Sequence, residues 1–416
     1  MKRRDIIRNL TLLPFFGGVL GSIIPSAKGI ASPKKGQRDL FKELGVRTFI
    51  NARGTITFMT GSIMHDYVLE TIKNSSQDYC MLDELQDKVG EKIAQMVHAE
   101  AATVTSGAFS ALMLGMAGIL TGMDLKKVEQ LPSLEEGGMK SEVIIQKGHQ
   151  IHYNHAFINC GAKLVYVETA EEVEKAVNEK TACLHFLNCN ALEGKIQHEE
   201  WVALANKYHL PATIDIAADV PPVSNLWRFN DMGFSLVALS GGKAIRGPQS
   251  AGLLMGKKDI VAAARLSAPP RGGTIGRGMK VNKEEILGMY VALERYINAD
   301  HDKEWKEWED RVAVIDKAAK SVKGVTTSVS VPPIANHTPT LLISWDSTIV
   351  KISGTELLNA LSKGSPSIEA YAGTNNSITV SPWMMQAGQE KIVAARIKEE
   401  LVKADQNLQN NKSSRI

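Results

Sequence analysis

The stretch Leu239-Ser240-Gly241-Gly242-Lys243-Ala244-Ile245-Arg246-Gly247-Pro248 decides how this chain is read. An apolar run from Leu236 to Leu239 ends in small residues, and a lysine sits in the glycine-rich turn behind it. Twenty-eight residues upstream, Pro211-Ala212-Thr213-Ile214-Asp215-Ile216 puts a carboxylate at the end of another apolar run. A lysine flanked by small residues can reach a carbonyl carbon without steric conflict. In a cleft it is also desolvated, which favours the neutral, nucleophilic amine. Paired with an aspartate on a neighbouring strand, it matches what pyridoxal 5'-phosphate (PLP) needs: Lys243 for the Schiff base, and Asp215 to keep the pyridine nitrogen protonated so that the ring acts as an electron sink.

Working outward, Ala101-Ala102-Thr103-Val104-Thr105-Ser106-Gly107-Ala108-Phe109 reads as a short strand, a small-residue turn and a helix start. A helix N-terminus offers free N–H groups and a positive dipole end to an anion. Ser106, Gly107 and Ala108 are therefore the phosphate-binding candidates. The strand-like runs are Val143–Gln146, Lys163–Val167, Ala182–Leu187, Pro211–Ile214, Leu236–Leu239 and Gly252–Met255. Helical patterns, such as Ala170–Asn178 and Glu199–Tyr208, lie between them. That alternation predicts an α/β domain with a mainly parallel or mixed sheet, in which ligands gather at the carboxyl ends of strands. Ser106, His149, Asp215 and Lys243 all fall at or just past such ends.

The division expected along the chain is a signal peptide over 1–31, a linker and N-terminal arm over 32–80, and a large cofactor-binding domain with its connecting helix over 81–299. A smaller α+β domain over 300–405 and a polar tail over 406–416 follow. The start, Met1-Lys2-Arg3-Arg4-Asp5-Ile6-Ile7-Arg8, is basic with adjacent arginines. The apolar stretch Leu10 to Ile24 is broken by Pro14, Gly17, Gly18 and Gly21, too short for a bilayer span of about 20 residues. It resembles a twin-arginine (Tat) export signal, a route that carries folded, cofactor-loaded proteins. The expected location is periplasmic or otherwise exported, with no stable membrane association after cleavage.

The formal charge of +3 is concentrated in that leader, which leaves the body of the 416-residue chain near neutral. A near-neutral body gives no electrostatic footprint for nucleic acid. The cysteines Cys80, Cys160, Cys183 and Cys189 lack CxxC spacing, so neither zinc nor a redox pair is indicated.

The order of these parts resembles PLP-dependent enzymes of fold type I, the aspartate-aminotransferase-like fold. More narrowly, it resembles the selenocysteine-synthase-like branch that includes D-glucosaminate-6-phosphate ammonia-lyase-like proteins. The residues that carry the likeness include Glu43-Leu44-Gly45-Val46-Arg47, Glu84-Leu85-Gln86, Thr105-Ser106-Gly107-Ala108 and Lys147-Gly148-His149. Ile50-Asn51, Val89-Gly90, Ser240-Gly241-Gly242-Lys243, Arg246-Gly247-Pro248-Gln249, Ile275-Gly276-Arg277 and Met279-Lys280-Val281 complete the set. The resemblance covers residues 40–400. It implies that Lys243 and Asp215 are the catalytic pair, that Ser106, Gly107 and Ala108 hold phosphate, and that Ser240 lies near the cofactor. His149 is the candidate for stacking on the pyridine face, with His152, Tyr153 and His155 as neighbouring rings. Arg271 and Arg277 are candidates for a bidentate grip on a substrate carboxylate. Arg53 departs from the small residue expected at its position and is a further substrate-binding candidate.

The resemblance also implies the reaction class. A 2-amino-3-hydroxy acid loses its Cα proton, with the released Lys243 amine as the usual base, and then its β-hydroxyl. Hydrolysis of the resulting enamine gives a keto acid and ammonia. The expected function is thus a PLP-dependent lyase acting on a small hydroxy amino acid or amino sugar acid, in a homodimer or higher homo-oligomer. The alternatives are a selenocysteine-synthase-type transferase on seryl-tRNA, a racemase or aminotransferase, or a binding protein that has lost catalysis. Retention of both Lys243 and Asp215 argues against the last.

Overall fold

The computed structural model describes residues 38–413, so the proposed export signal and most of the linker lie outside the described residues. The large domain is built on a seven-stranded sheet in the order β2-β8-β7-β6-β5-β3-β4. Its strands are β2 (Ala101–Thr105), β3 (Glu142–Gln146), β4 (Lys163–Val167), β5 (Thr181–Leu187), β6 (Ala212–Asp215), β7 (Leu236–Ser240) and β8 (Gly252–Gly256). Only β8 runs antiparallel to its neighbours, β2 and β7. The central strands β5 and β6 are buried at every position, which is why they read as unbroken apolar runs in the sequence.

The register fixes where chemistry can occur. Thr105 pairs with Gly252, and Gly252 with Ser240, in one row across β2, β8 and β7. Leu187 pairs with Asp215, and Asp215 with Ala238, in the next. The turns carrying Ser106, Cys189, Asp215 and Lys243 therefore leave the sheet on one edge, with neighbouring strands about 4.8 Å apart. Gly252 has a steric reason: a Cβ there would lie 2.5 Å from the Gly107 carbonyl carbon.

At the sheet's edge, Gln86 is buried on the helix Leu82–Met96 and acts as a substitute strand for β2. Its Oε1 accepts from Thr103 Oγ1 at 2.9 Å and Val104 N at 3.1 Å, while its Nε2 donates to Val104 O at 2.8 Å. Gln86→Ala leaves these buried groups unpaired. We expect it to lower stability by about 1–3 kcal/mol, read from the midpoint of urea unfolding. An unchanged midpoint would mean that water replaces the amide at no loss.

The small domain holds an antiparallel sheet in the order β12-β13-β10-β9. Its strands are β9 (Val325–Ser330), β10 (Thr340–Trp345), β12 (Tyr371–Ala372) and β13 (Ser377–Val380). Beside it, β1 (Ile50–Asn51) runs parallel to β11 (Ile368–Glu369). Ile50 and Ala52 are buried in the small-domain core, so this part of the N-terminal arm belongs to the C-terminal body. Within this stretch of the arm only Ile50–Asn51 is a strand, preceded by a helical turn at Leu40–Glu43. The helix Lys283–Ile297 packs its Ile286, Met289, Ala292 and Leu293 into the large-domain core. The next helix, His301–Lys320, gives Trp308 to the large core and Val312, Ile315 and Ala319 to the small one. The last helix runs Gln389–Ser413, into the stretch expected as a polar tail. Among the described residues no helix is long and apolar enough to cross a membrane.

Candidate active site

Lys243 is half-buried at the carboxyl end of β7, in a loop closed by Gly247 N donating to Gly241 O at 2.9 Å. The glycines before it are sterically required: a Cβ on Gly241 would lie 2.2 Å from Met289 Sδ, and one on Gly242 would lie 2.4 Å from Gln249 Cα. Burial lowers the Lys243 ammonium from its usual range, while the charges of Asp215, Asp219 and Cys189 act in the opposite direction. The net direction is toward the neutral amine, as a nucleophile requires.

Asp215 ends β6 with its side chain buried. Burial raises its carboxyl above the usual range, offset by the Ala217 N–H and by Lys243. Its Oδ1 accepts from Ala217 N at 2.8 Å, which fixes one oxygen and leaves Oδ2 for a cationic partner. Asp219, four residues on, is 1% exposed, and neither of its carboxylate oxygens receives a hydrogen bond of normal geometry. Burial above all, with Asp215 adding to it, pushes its carboxyl up to about 7. Cys189, just past β5, is in the same electrostatic cluster, and its thiol is pushed up to about 12 by burial first and then by Asp219 and Asp215. Its side chain is nevertheless partly open to solvent.

At the β2 end, Gly107 has φ +86° and serves as the N-cap of the 14-residue helix Ala108–Thr121, with no side chain capping it. Ser106 Oγ lies 2.9 Å from Ser110 Oγ, and Ser110 Oγ donates to Ser106 O at 2.9 Å. The first-turn N–H groups and a serine hydroxyl thus face outward at a positive helix end, a cradle for a phosphate.

The other expected site residues divide. Arg53 is held by an Asn51 turn, in which Asn51 Oδ1 accepts from Arg53 N at 3.0 Å and Gly54 N at 2.8 Å. Its guanidinium lies between the rings of Phe58 (5.3 Å) and Tyr371 (5.0 Å), and its Nε is buried without a partner. The segment that follows rests on the lysine loop. Gln249 Nε2 donates to Thr57 O at 3.0 Å, and a Cβ on Gly61 would lie 2.7 Å from Gly242 O. Arg53 thus sits four residues before a segment that rests on the lysine loop, without a carboxylate partner among the described residues. Arg271 does have one: its Nη1 pairs with Asp83 Oδ1 at 2.8 Å, beside the Arg265–Asp83 pair. Arg277 is half-buried in the same loop.

His149 corrects an expectation. Its ring has no exposed surface, so no face is open for stacking. Nδ1 accepts from Leu187 N at 3.2 Å, and the ring meets Phe186 edge-on at 4.5 Å, with burial lowering it to about 4. His149 braces the end of β5 from below, whereas His152, Tyr153 and His155 are exposed. The residues missed from sequence are Asp219, Asn188 and Cys189. A second acid four residues after Asp215 was the one available signal.

No family profile matches the chain. A D-glucosaminate-6-phosphate ammonia lyase of Salmonella typhimurium is 29% identical over 269 residues, covering 62% of this chain and 70% of the relative. A 5'-C-glycyluridine monooxygenase-decarboxylase of a Streptomyces species is 25% identical over 377 residues, covering 87% and 92%. An L-seryl-tRNA(Sec) selenium transferase of Pasteurella multocida is 26% identical over 273 residues, and the match spans 59% of this chain and 52% of the transferase. Among solved structures, a D-glucosaminate-6-phosphate ammonia-lyase superposes with a TM-score of 0.78 at 23% identity, covering 88% of this chain and 99% of that one. A serine palmitoyltransferase with bound PLP superposes at 0.54 and 12% identity. The chain has the fold of the type I PLP-dependent enzymes. Within that fold it is related to the ammonia lyase and to the selenium transferases.

The residues present fit PLP on structural grounds. A desolvated lysine, a buried carboxylate with one free oxygen and an uncapped helix N-terminus behind a glycine lie along one sheet edge. They match the cofactor's carbonyl, ring nitrogen and phosphate.

Proposed function

We propose that this protein is a PLP-dependent lyase that removes the β-hydroxyl and the amine from a small 2-amino-3-hydroxy acid, an amino sugar acid or hydroxy amino acid. The single observation that carries the reading is the half-buried Lys243 and the buried Asp215 placed at the carboxyl ends of adjacent strands, each acting on the other's charge. PLP, when bound, supplies an electron sink for the Cα carbanion. The chain's own residues do the rest. Asp215 holds a negative charge, through Oδ2, against the ring nitrogen. Lys243 Nζ, kept toward its neutral form by burial, would hold the cofactor and would be the base that takes the Cα proton. Ser106, Gly107 and Ala108 would hold the phosphate, and Ser240 would border the cofactor. Arg53, a half-buried cation flanked by two rings, binds the substrate carboxylate.

Two observations favour the lyase over transfer to seryl-tRNA. The match spans about half the length of the selenium transferases, and the body carries no net basic charge to neutralise nucleic-acid phosphates. A second reading, an oxygen-consuming decarboxylation, is favoured by the extent of the match to the monooxygenase-decarboxylase. Mass spectrometry of products from a panel of D- and L-3-hydroxy amino acids and amino sugar acids separates the two. Keto acid and ammonia formed without oxygen uptake support the lyase; carbon dioxide with oxygen uptake overturns it.

The same reading includes a homo-oligomer and export. The arm leaves Phe41, Leu44, Phe58 and Tyr79 largely exposed, with Met81 just beyond it, an apolar density that supports cover by a second copy. The basic leader supports the Tat route. Arg3→Lys/Arg4→Lys keeps the charge and removes the arginine pair, so cell fractionation should find the variant retained in the cytoplasm. Export of the variant would overturn the route, and a cytoplasmic wild type would overturn export itself.

A further inference from the structure

The loop after β6 carries two acids, and the chemistry proposed above uses only the first. Asp215 ends the strand, and Asp219 follows it in a tight turn in which Asp219 N donates to Ile216 O at 3.1 Å. The turn is pinned at three further points. Asp215 Oδ1 accepts from Ala217 N at 2.8 Å, and Asn225 Nδ2 donates to Asp219 O at 2.6 Å. Asn336 N reaches over from the segment before β10 and donates to Ala218 O at 2.9 Å. Within this frame Asp219 is 1% exposed.

Two donors face its carboxylate, the side-chain amide of Asn188 and the N–H of Ala335. Both are held in place. Asn188, buried just past β5, has its Oδ1 2.7 Å from His198 Nε2. Burial lowers His198 to about 4, so its ring is neutral at ordinary pH. The amide oxygen can only accept, so the ring proton sits on Nε2 and the Asn188 NH2 is turned to Asp219. Ala335 and Asn336 adopt left-handed φ, +40° and +49°, without glycine, a strain that persists where the surroundings hold a functional geometry. These donors favour the ionised acid, against burial and the charge of Asp215. Among the described residues the one cation whose charge acts on Asp219 is Lys243, and the action is mutual. A buried carboxylate calls for a cation, and here the lysine of the cofactor site supplies it.

We propose that Asp219 is a positioning residue that acts through Lys243: its carboxylate, aimed by Asn188 and the Ala335 N–H, keeps a proton on the Lys243 nitrogen once that nitrogen is joined to the cofactor. This rests on the cofactor reading above. Condensation of the Nζ amine with the cofactor's carbonyl carbon forms the C=N bond and releases the oxygen as water with both amine protons. A proton taken up from solvent then gives the cationic imine, whose carbon is the better electrophile for an incoming substrate amine. The two acids divide the work: Asp215 serves the ring nitrogen and Asp219 the lysine nitrogen. Before the cofactor arrives, burial lowers the Lys243 ammonium in spite of both acids, so the free amine is available to condense. The charged and titratable groups facing Asp219 are Asp215, Lys243 and Cys189 on the cofactor side. On its other side lie His198, Glu199, Arg228 and His337, in a cleft of about 450 Å³ that Asp219 also lines. Removing the Asp219 charge alone tells its contribution from theirs.

The test follows the absorbance of the holoenzyme from about pH 5 to about pH 10. In the wild type the visible band of the cationic imine should persist past about pH 8, because a neighbouring carboxylate raises the pH at which the proton leaves. Asp219→Asn has nearly the same size without the charge. It should lower that midpoint by about one unit, the scale of one charge several ångström away at an effective dielectric of about 20. Asp219→Glu keeps the charge and should restore most of the difference. A wild-type band already lost at about pH 7, an unmoved midpoint in Asp219→Asn, or a shift that Asp219→Glu does not reduce would each overturn the proposal. If Asp219→Asn does not fold, Asn188→Ala decides. It leaves the acid and removes a donor, so its midpoint should also fall, and an unmoved one would overturn the assignment. Each sample is then treated with borohydride. A protein with no reducible band at any pH overturns the cofactor reading, whereas a reducible band that Asp219 does not move overturns only this proposal.

Discussion

Replacing Lys243 by alanine is expected to abolish the visible absorption that borohydride bleaches and to lower turnover by at least about 10³-fold, the scale expected when one group serves as both attachment point and proton acceptor. The thermal midpoint stays close to that of the wild type, compared with both proteins free of cofactor. Lys243 is half-buried, and its side chain makes no hydrogen bond or ion pair of normal geometry among the described residues. Its desolvated ammonium stabilises the fold little. The glycines that shape its loop remain, so the loop should keep its path. Absorption spectra before and after borohydride, with a melting curve, check both parts. Retained absorption would assign the attachment to another lysine.

Asp215→Asn should keep the fold and part of the cofactor, and lose about 10²–10³-fold in turnover, the range seen when one preorganised electrostatic partner is removed. The asparagine Oδ1 can still accept from Ala217 N, which is why the loop survives. What it cannot do is hold a positive charge on the ring nitrogen. The sign follows from burial. The buried Asp215 carboxyl is raised when alone, and a cationic partner lowers it again, as Lys243 already does in part. In the loaded wild type the carboxylate therefore stays ionised at neutral pH, and activity falls as acid protonates it. Asp215→Asn should lack that acid limb. Near-wild-type turnover with an unchanged pH profile would make Asp215 a structural residue.

Much of this was legible because buried parallel strands write themselves as apolar runs. The expected strand Lys163–Val167 is identical to β4, and β5, β6, β7 and β8 depart from expectation by a residue or so at their ends. Lys243 and Ser106 were legible because a close backbone approach demands small residues, and Gly241, Gly242, Gly107 and Gly252 are where a Cβ would collide or φ is positive. The pairing of Ile50 with Ile368 was not, since a two-residue strand has no periodicity to detect. Nor was the inward turn of His149, because a histidine after a strand looks the same whether its ring faces a cofactor or Phe186.

The central claim is that Lys243 carries the cofactor. The most direct measurement is borohydride reduction of the purified protein with PLP, followed by proteolysis and mass mapping of the fixed label. We predict a single phosphopyridoxyl group on the Lys243 peptide, lost in Lys243→Ala. A label on any other lysine, or none after incubation with excess PLP, would contradict the assignment.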